Sequence, residues 1–535
     1  PDEETNETTK QRSDIGLLKL SAAYKPNVNN QLDYDVLARV TKESQDRTLF
    51  SSVVGNTIQL EENTPYSINQ NINYYYTLNE NNIFAFEAQH LLQDEDPFYN
   101  AFIEDKAGYG NTADNLGLDP NQMGYDVNQD RRVKSNQLDA KVDYWNILNG
   151  RSNINFTLGA LVSRQDFNSN IFQILDNNST LNPTPTFNDG LDINDTQYNF
   201  SDIYLGAHYT LKLGKFTFTP GVSFHAYGNS NNQFGVDYTD NFFRVLPDFE
   251  TRIQFKKSES LTLRYNMRNQ FTDVTNLARG IVLNNFNSIQ IGNPELENAL
   301  SNNVSLFYRS FNLFNYTNVF ASVNYTNSMN QIRSLSDFES VIRTNRFFNS
   351  EFADESVSSF GRVQRTFGKF RGSLNANFNY SKFNQFIQGN RSVNESYRQT
   401  YTPEIRSNFR EAPNFEISYR YSVNDNKQGG RTTTFITNAP SVEFDAYIWK
   451  SLTFLTNYSY NSQSNPNGET QTFEIWDASL SYRKDKDSKW EYQLKATNLL
   501  NTQSQIRNGN NNISVFASEY FIQPRFLTFR IRYEI

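Results

Sequence analysis

Hydrophobic and polar positions alternate with a period of two along much of this chain. The last ten residues show the pattern plainly. Leu527, Phe529, Ile531, Tyr533 and Ile535 fall on one side, and Thr528, Arg530, Arg532 and Glu534 on the other. A two-residue period marks a β-strand with one oily and one polar face. In Phe370–Ser381, Phe370, Leu374, Ala376, Phe378 and Tyr380 oppose Arg371, Ser373, Asn375, Asn377 and Asn379. The same alternation runs through Leu261–Arg268, Phe415–Asn424 and Trp476–Arg483.

In chain order, residues 1–13 are polar and acidic and read as a loop. Strands are predicted at Ile15–Tyr24, Leu32–Val40, Tyr66–Tyr76, Ile83–His90, Leu138–Ile147 and Ile154–Val162. They continue at Tyr204–Leu213, Phe216–Tyr227, Phe249–Phe255 and Leu261–Met267, and onward to the terminal strand. Turn residues predict short connections near 25–30, 79–82, 149–152, 213–215, 257–260, 312–316, 367–369, 411–414, 449–451 and 485–489. Long polar loops are expected near 94–134, 167–195, 228–241, 271–297 and 502–516. Short turns alternating with long loops are the signature of an outer-membrane barrel, with turns on the periplasmic side and loops outside. A soluble sandwich would not segregate loop lengths in this way.

The pattern yields about 21 strands, a number that leaves a lumen too wide for side chains to fill. The polar face therefore lines the lumen and the oily face meets lipid. The fold class expected for residues 1–535 is all-β, a single large antiparallel transmembrane β-barrel domain. The first and last predicted strands run in the same direction, toward the short turns. Bacterial single-chain barrels have an even strand number. One strand of opposite direction is therefore expected ahead of Pro1, making about 22 in all.

Composition fits this picture without proving it. Hydrophobic residues make up 37% of the chain, and mean hydropathy is -0.69. No run approaches the apolar length of a membrane-spanning helix, a test that a β-barrel escapes. Aromatics reach 15%, with 31 Tyr and 44 Phe, which suits aromatic girdles at two membrane interfaces. The absence of cysteine rules out catalytic thiols and Cys-bound zinc. The net charge of -9 argues against nucleic acid as a partner. The chain opens without a signal peptide, on Pro1-Asp-Glu-Glu, as a mature or trimmed piece would.

The candidate chemistry is sparse. Of three histidines, His208 and His225 are expected on adjacent strands facing the lumen. Position 208 pairs near 220, so the two rings lie roughly 17 Å apart at strand rise and cannot share a metal. Asp126-Val-Asn-Gln-Asp130 begins like a calcium loop, but Arg131 and Gln137 stand where that loop needs Gly and Glu. An Asx-rich turn is the expectation there, with loosely bound calcium in the acidic loops held as an alternative. No metal, cofactor-binding or catalytic residue is assigned, and the substrate-binding residues are unknown. No G-x-S-x-G and no Ser/His/Asp grouping appears, so the chain is not expected to be an enzyme. Arg252, Arg264, Arg268, Arg371, Arg420, Lys495 and Arg530 are expected to face the lumen. They would either line a path for anionic solutes or form ion pairs with an internal plug, and the second is favoured.

Three segments carry a family resemblance. Gly292, Asn293, Pro294 and Leu296 resemble the Gly-Asn-Pro-x-Leu segment of TonB-dependent receptor barrels, with Glu297 and Asn298 where Lys-Pro is usual there. Leu494-Lys-Ala-Thr-Asn-Leu-Leu-Asn501 resembles that family's penultimate strand, and Pro524-Arg525 its approach to the last. The terminal Ile535 departs from the aromatic usual in the family, and the Asn- and Tyr-rich style is similar to receptors of the Bacteroidota.

The resemblance implies 22 strands, an N-terminal plug and a TonB box, neither of the latter within residues 1–535. It implies residence in the outer membrane of a Gram-negative bacterium, against lipid and lipopolysaccharide. The implied partners are its own plug, a TonB-type energy transducer, and a surface lipoprotein or other outer-membrane subunits. The implied function is uptake of a large nutrient: a siderophore, vitamin, glycan or peptide. A scaffolding barrel within a larger complex and a passive porin-like channel are the alternatives.

Overall fold

The computed structural model describes every residue except 1, 187, 411–412, 450, 465–469, 486, 511–514 and 535. The expectations that fall on Ile535 and on part of the turns near 411–414, 449–451 and 485–489 lie outside the described residues. Among those described, one sheet holds 28 strands and a separate hairpin holds two, Ser504–Asn510 and Val515–Phe521. Seven strands of the main sheet are short rim or inner pieces: Gly55–Asn63, Phe98–Ile103, Thr180–Leu181, Ile281–Asn285, Ser288–Ile291, Gln331–Glu339 and Ile342–Ser350. The other 21 follow one another as an antiparallel wall from Thr5–Asn27 to Phe526–Tyr533. The alternation in the sequence thus predicts the number of wall strands.

Each wall strand pairs with its successor through a short turn or a longer excursion. At one end the connections are tight, as in the pairs Asn79↔Asn82, Asn149↔Ser152, Leu213↔Phe216 and Phe367↔Phe370. The excursions gather at the other end. Among the described residues, Thr5–Asn27 pairs only with Asn30–Ser51, and Phe526–Tyr533 only with Trp490–Thr497. Both of these end strands run toward the tight turns.

The two faces of the wall differ as the period of two dictates. Leu158, Val162, Leu205, Phe224, Val245 and Leu374 lie on one face and are exposed. That is the face a bilayer would cover. The opposite face carries Gln129, Asn194, His208, Gln233 and Asp248, joined by register across neighbouring strands.

The loops expected near 94–134 and 167–195 are shorter than that, because 125–134 and 167–174 are paired wall strand; three further expectations need correction. Residues 5–13 belong to the strand Thr5–Asn27 and pair with Glu43–Ser51. Residues 228–241 are no loop: Phe216–Gln233 and Val236–Lys256 continue upward and turn at Phe234-Gly235, both at positive φ. Asp126–Asp130 is no turn but extended strand within Tyr125–Asn149. The reason is common to all three. Where a hairpin rises past the lipid, both faces meet water or inner protein, and the alternation that marks a strand disappears.

Candidate functional site

The excursions at the loop end fold inward on one another. Helix α1, Lys106–Leu116, begins where the Asp105 carboxylate accepts the N–H groups of Ala107 and Gly108 at 3.0 and 3.3 Å. It ends at Gly117, whose φ of 76° is the left-handed cap that glycine adopts without strain. Its buried face, Tyr109, Ala113 and Leu116, packs in one apolar cluster with Leu283, Phe286, Ile289 and Ile291. Each such large side chain contributes about 1.5–3 kcal/mol on full burial.

Phe286 and its neighbours come from the 271–298 excursion. This holds the short helix α2, Val274–Leu277, and the hairpin Ile281–Asn285/Ser288–Ile291. The hairpin's second strand pairs in parallel with Arg343–Arg346 of the Gln331–Ser350 hairpin. That hairpin in turn touches the wall at Phe386 and Ile387. Three excursions thus form a cap with its own apolar core.

The cap is pinned to the inner wall by amide side chains. Gln129 Oε1 accepts the N–H of Leu283 at 3.1 Å. Asn194 Oδ1 accepts the N–H of Gly280 at 2.7 Å, and its Nδ2 donates to the Ile281 carbonyl at 3.3 Å. Gln233 holds Arg279 N–H at 2.9 Å and donates to the Leu277 carbonyl at 2.8 Å. Asn231 donates to the Pro294 carbonyl at 2.8 Å. The amides come from neighbouring strands of one sector, and each satisfies loop backbone that would otherwise be buried unpaired. The Asn- and Gln-rich inner wall therefore has a task at this end: it binds the chain's own loop.

The Gly-Asn-Pro segment closes the same knot. Gly292 N–H donates to the Ala278 carbonyl at 2.8 Å, and a side chain there would strike that backbone. Asn293 N–H donates to the Asn276 carbonyl at 2.8 Å. Asn349, from the neighbouring hairpin, accepts Glu297 N–H at 2.8 Å and donates to the Glu297 carbonyl at 2.9 Å. These residues were singled out by resemblance alone. Their role in the structure is to lock the inner excursion before the chain re-enters the wall.

Below the cap the inner wall is polar, and in the sector around Lys141, His208 and His225 its charges are paired. Lys141 Nζ lies 3.0 Å from Glu87 and 3.3 Å from Asp143. His225 Nδ1 lies 2.7 Å from Asp202, and His208 Nε2 lies 3.0 Å from Asp248. The two histidines stand on adjacent strands, as expected, and each has its own carboxylate. His208 is opposite Gly221 and His225 opposite Tyr204. The His225 ring stacks between Tyr204 and Tyr227, at centroid distances of 5.0 and 5.4 Å. Among the described residues no group of three or more His, Asp or Glu is arranged to hold a metal ion. Arg252, Arg264, Arg268, Arg371, Arg420, Lys495 and Arg530 share the inner face by register. They are spread over several strands, with Arg252 and Arg264 on adjacent ones.

The amide pins and the cap core escaped the sequence. They join residues far apart in the chain, and no local period reports such pairings.

Among curated proteins, none matches this chain. Solved structures do. The copper transporter OprC superposes with a TM-score of 0.50 at 8% identity, over 99% of this chain and 82% of that one. The FrpB iron transporter of Neisseria meningitidis gives 0.42 at 9% identity, over 100% and 81%. The ferric-catecholate import receptor Fiu of E. coli K12 gives 0.45 at 10%, over 98% and 81%. At these identities the likeness is one of fold. The model of the outer membrane protein beta-barrel family matches residues 98–533. With its polar inner wall and exposed apolar outer face, the chain belongs to the outer membrane protein β-barrel family.

Proposed function

We propose that the chain is the barrel of an outer-membrane receptor that imports a large nutrient, driven by a TonB-type transducer. The observation that carries this is the cap. A wide passive channel keeps a continuous water path through its lumen. Here the excursions spend an apolar core and several buried amide pins on filling part of the mouth from within. The fold likeness to a copper transporter is in keeping with import.

The tight turns face the periplasm and the cap faces the cell exterior. Among the described residues the two end strands run the same way and each pairs with one neighbour, and two strands of the same direction do not pair antiparallel. We add one strand of opposite direction between them, and a plug within the lumen as the element that couples to the transducer. Lipid and lipopolysaccharide contact the apolar face. A surface lipoprotein over the cap is the further partner. We assign no resident cofactor and no catalytic step.

The test is ion conductance of the full-length protein in planar bilayers. A receptor stays closed at rest, and its uptake of nutrient stops when the transducer is deleted. Large, steady conductance at rest would make the protein a porin-like channel. A closed barrel with transducer-independent behaviour, copurifying with other outer-membrane subunits, would make it a scaffold.

A further inference from the structure

Toward the tight-turn end, the inner wall carries an arc of arginines. Arg252, Arg264, Arg309, Arg362, Arg371 and Arg406 all face inward, by the registers that join their strands. Three of them converge. Arg252, Arg264 and Arg309 line one cavity of about 310 Å³ with Thr262, Ser305 and Asn324. Its polar lining is otherwise hydroxyl and amide, groups able to donate hydrogen bonds.

The charges in this cavity do not balance. Arg264 Nε lies 2.5 Å from Glu250. Arg252 Nη2 finds only the neutral Gln254 Oε1 at 2.9 Å, and Arg309 Nε only the Ser260 hydroxyl at 3.1 Å. Among the described residues neither guanidinium has a carboxylate within ion-pairing distance. This contrasts with the acidic sector across Glu87, Lys141 and Asp143, where the cation sits between carboxylates. Guanidiniums crowded on a wall favour an anion, and their fork matches the paired oxygens of a carboxylate or phosphate.

We infer that this cavity is a subsite for a small oxyanion, a carboxylate or phosphate group held between Arg252 and Arg309 with Arg264 beside it. The oxyanion has two sources with the same chemistry. It belongs either to a solute in the lumen or to an acidic side chain of polypeptide occupying the lumen. The inference goes beyond the import function and does not depend on how import is driven.

The test uses the full-length protein and tungstate, a heavy oxyanion visible by anomalous scattering. Calorimetry with inorganic phosphate runs in parallel. A tungstate peak within reach of Arg252 and Arg309 is the expected result, with phosphate binding weakened at least tenfold in the double variant Arg252→Gln/Arg309→Gln. The Arg398→Gln variant, elsewhere on the inner wall, keeps wild-type phosphate affinity and controls for folding and general lumen charge. A protein carboxylate seated between the two arginines, with tungstate excluded, upholds the subsite and assigns its oxyanion to the polypeptide. Water alone at the site, or phosphate binding unchanged in the double variant, overturns the inference. Conductance and uptake decide the import function separately, so failure of one is distinguishable from failure of the other.

Discussion

The phenol oxygen of Tyr99 accepts the backbone N–H of Phe286 at 2.7 Å, 187 positions along the chain, and donates to Gln59 Oε1 at 3.0 Å. Tyr109 Oη donates to the Phe286 carbonyl at 2.9 Å. Two tyrosines thus satisfy both backbone groups of one buried loop residue. Tyr99→Phe leaves the Phe286 N–H and Gln59 unpaired, and Tyr109→Phe leaves the carbonyl unpaired. Each is expected to destabilise cap docking by about 1–3 kcal/mol, the cost of a buried polar group without a partner. Amide hydrogen exchange over residues 281–291 should quicken in both variants. Unchanged exchange would mean that apolar packing alone holds the hairpin.

The same tyrosines give the cap an alkaline limit. Burial pushes both phenols well above the usual tyrosine value. A raised folded value means that the folded cap keeps protons the unfolded chain has released. Stability is therefore intact below about pH 10, the value of an unfolded tyrosine, and falls as pH rises beyond it. The loss approaches about 1.4 kcal/mol per pH unit for each tyrosine. Protease protection of the 271–298 excursion should be flat from pH 7 to 9 and drop above 10. In the Tyr99→Phe/Tyr109→Phe variant that alkaline drop should shrink.

How much of this was legible beforehand depends on where lipid lies. Leu374 and Asn375 alternate because one meets lipid and the other the lumen, so the strand and its two faces were readable from sequence. Thr5–Ser13, Asp126–Asp130 and residues 228–241 apart from the turn at Phe234-Gly235 are strand too, yet no solvent contrast divides their faces, and they read as loop or turn. The cap was invisible for a different reason. Gln129, Asn194 and Gln233 look like ordinary polar wall positions, and only the folded excursion shows that they hold backbone. Gly292 and Asn293 were found by resemblance, with no physical reason until the carbonyls of Ala278 and Asn276 appeared opposite them.

The two faces also make opposite demands on one substitution. Leu374 is exposed on the outer face, and Asn377, three positions on, faces the lumen. Leu374→Arg places a charge in lipid and should cost about 2–4 kcal/mol if the residue sits near the bilayer midplane. Asn377→Arg places the same charge in water and should cost less than about 1 kcal/mol. Urea unfolding in lipid vesicles separates the two. Equal penalties would mean that the outer face of this strand does not contact hydrocarbon.

Two glycines of the cap should respond to alanine with opposite signs. Gly280 passes so close to the wall that an added Cβ would overlap the Ile193 carbonyl oxygen and crowd Asn194 Oδ1. The Ile193 carbonyl is strand backbone with little room to relax, and the Asn194 side chain is held in place by the Gly280 N–H at 2.7 Å. Gly280→Ala should therefore weaken docking of the excursion by about 1–3 kcal/mol, the usual cost of overpacking. Gly110 lies inside α1 with open space where its side chain would go. Gly110→Ala removes backbone freedom from the unfolded helix and should stabilise it by about 0.5–1 kcal/mol. Limited proteolysis of the folded protein reads both, through cleavage within 104–124 and 271–298. Because α1 and the Ile281–Ile291 hairpin share one apolar core, Gly110→Ala should also slow cleavage in the second segment. Protection confined to residues 104–124 would show that the excursions open independently and that the cap is not one cooperative unit.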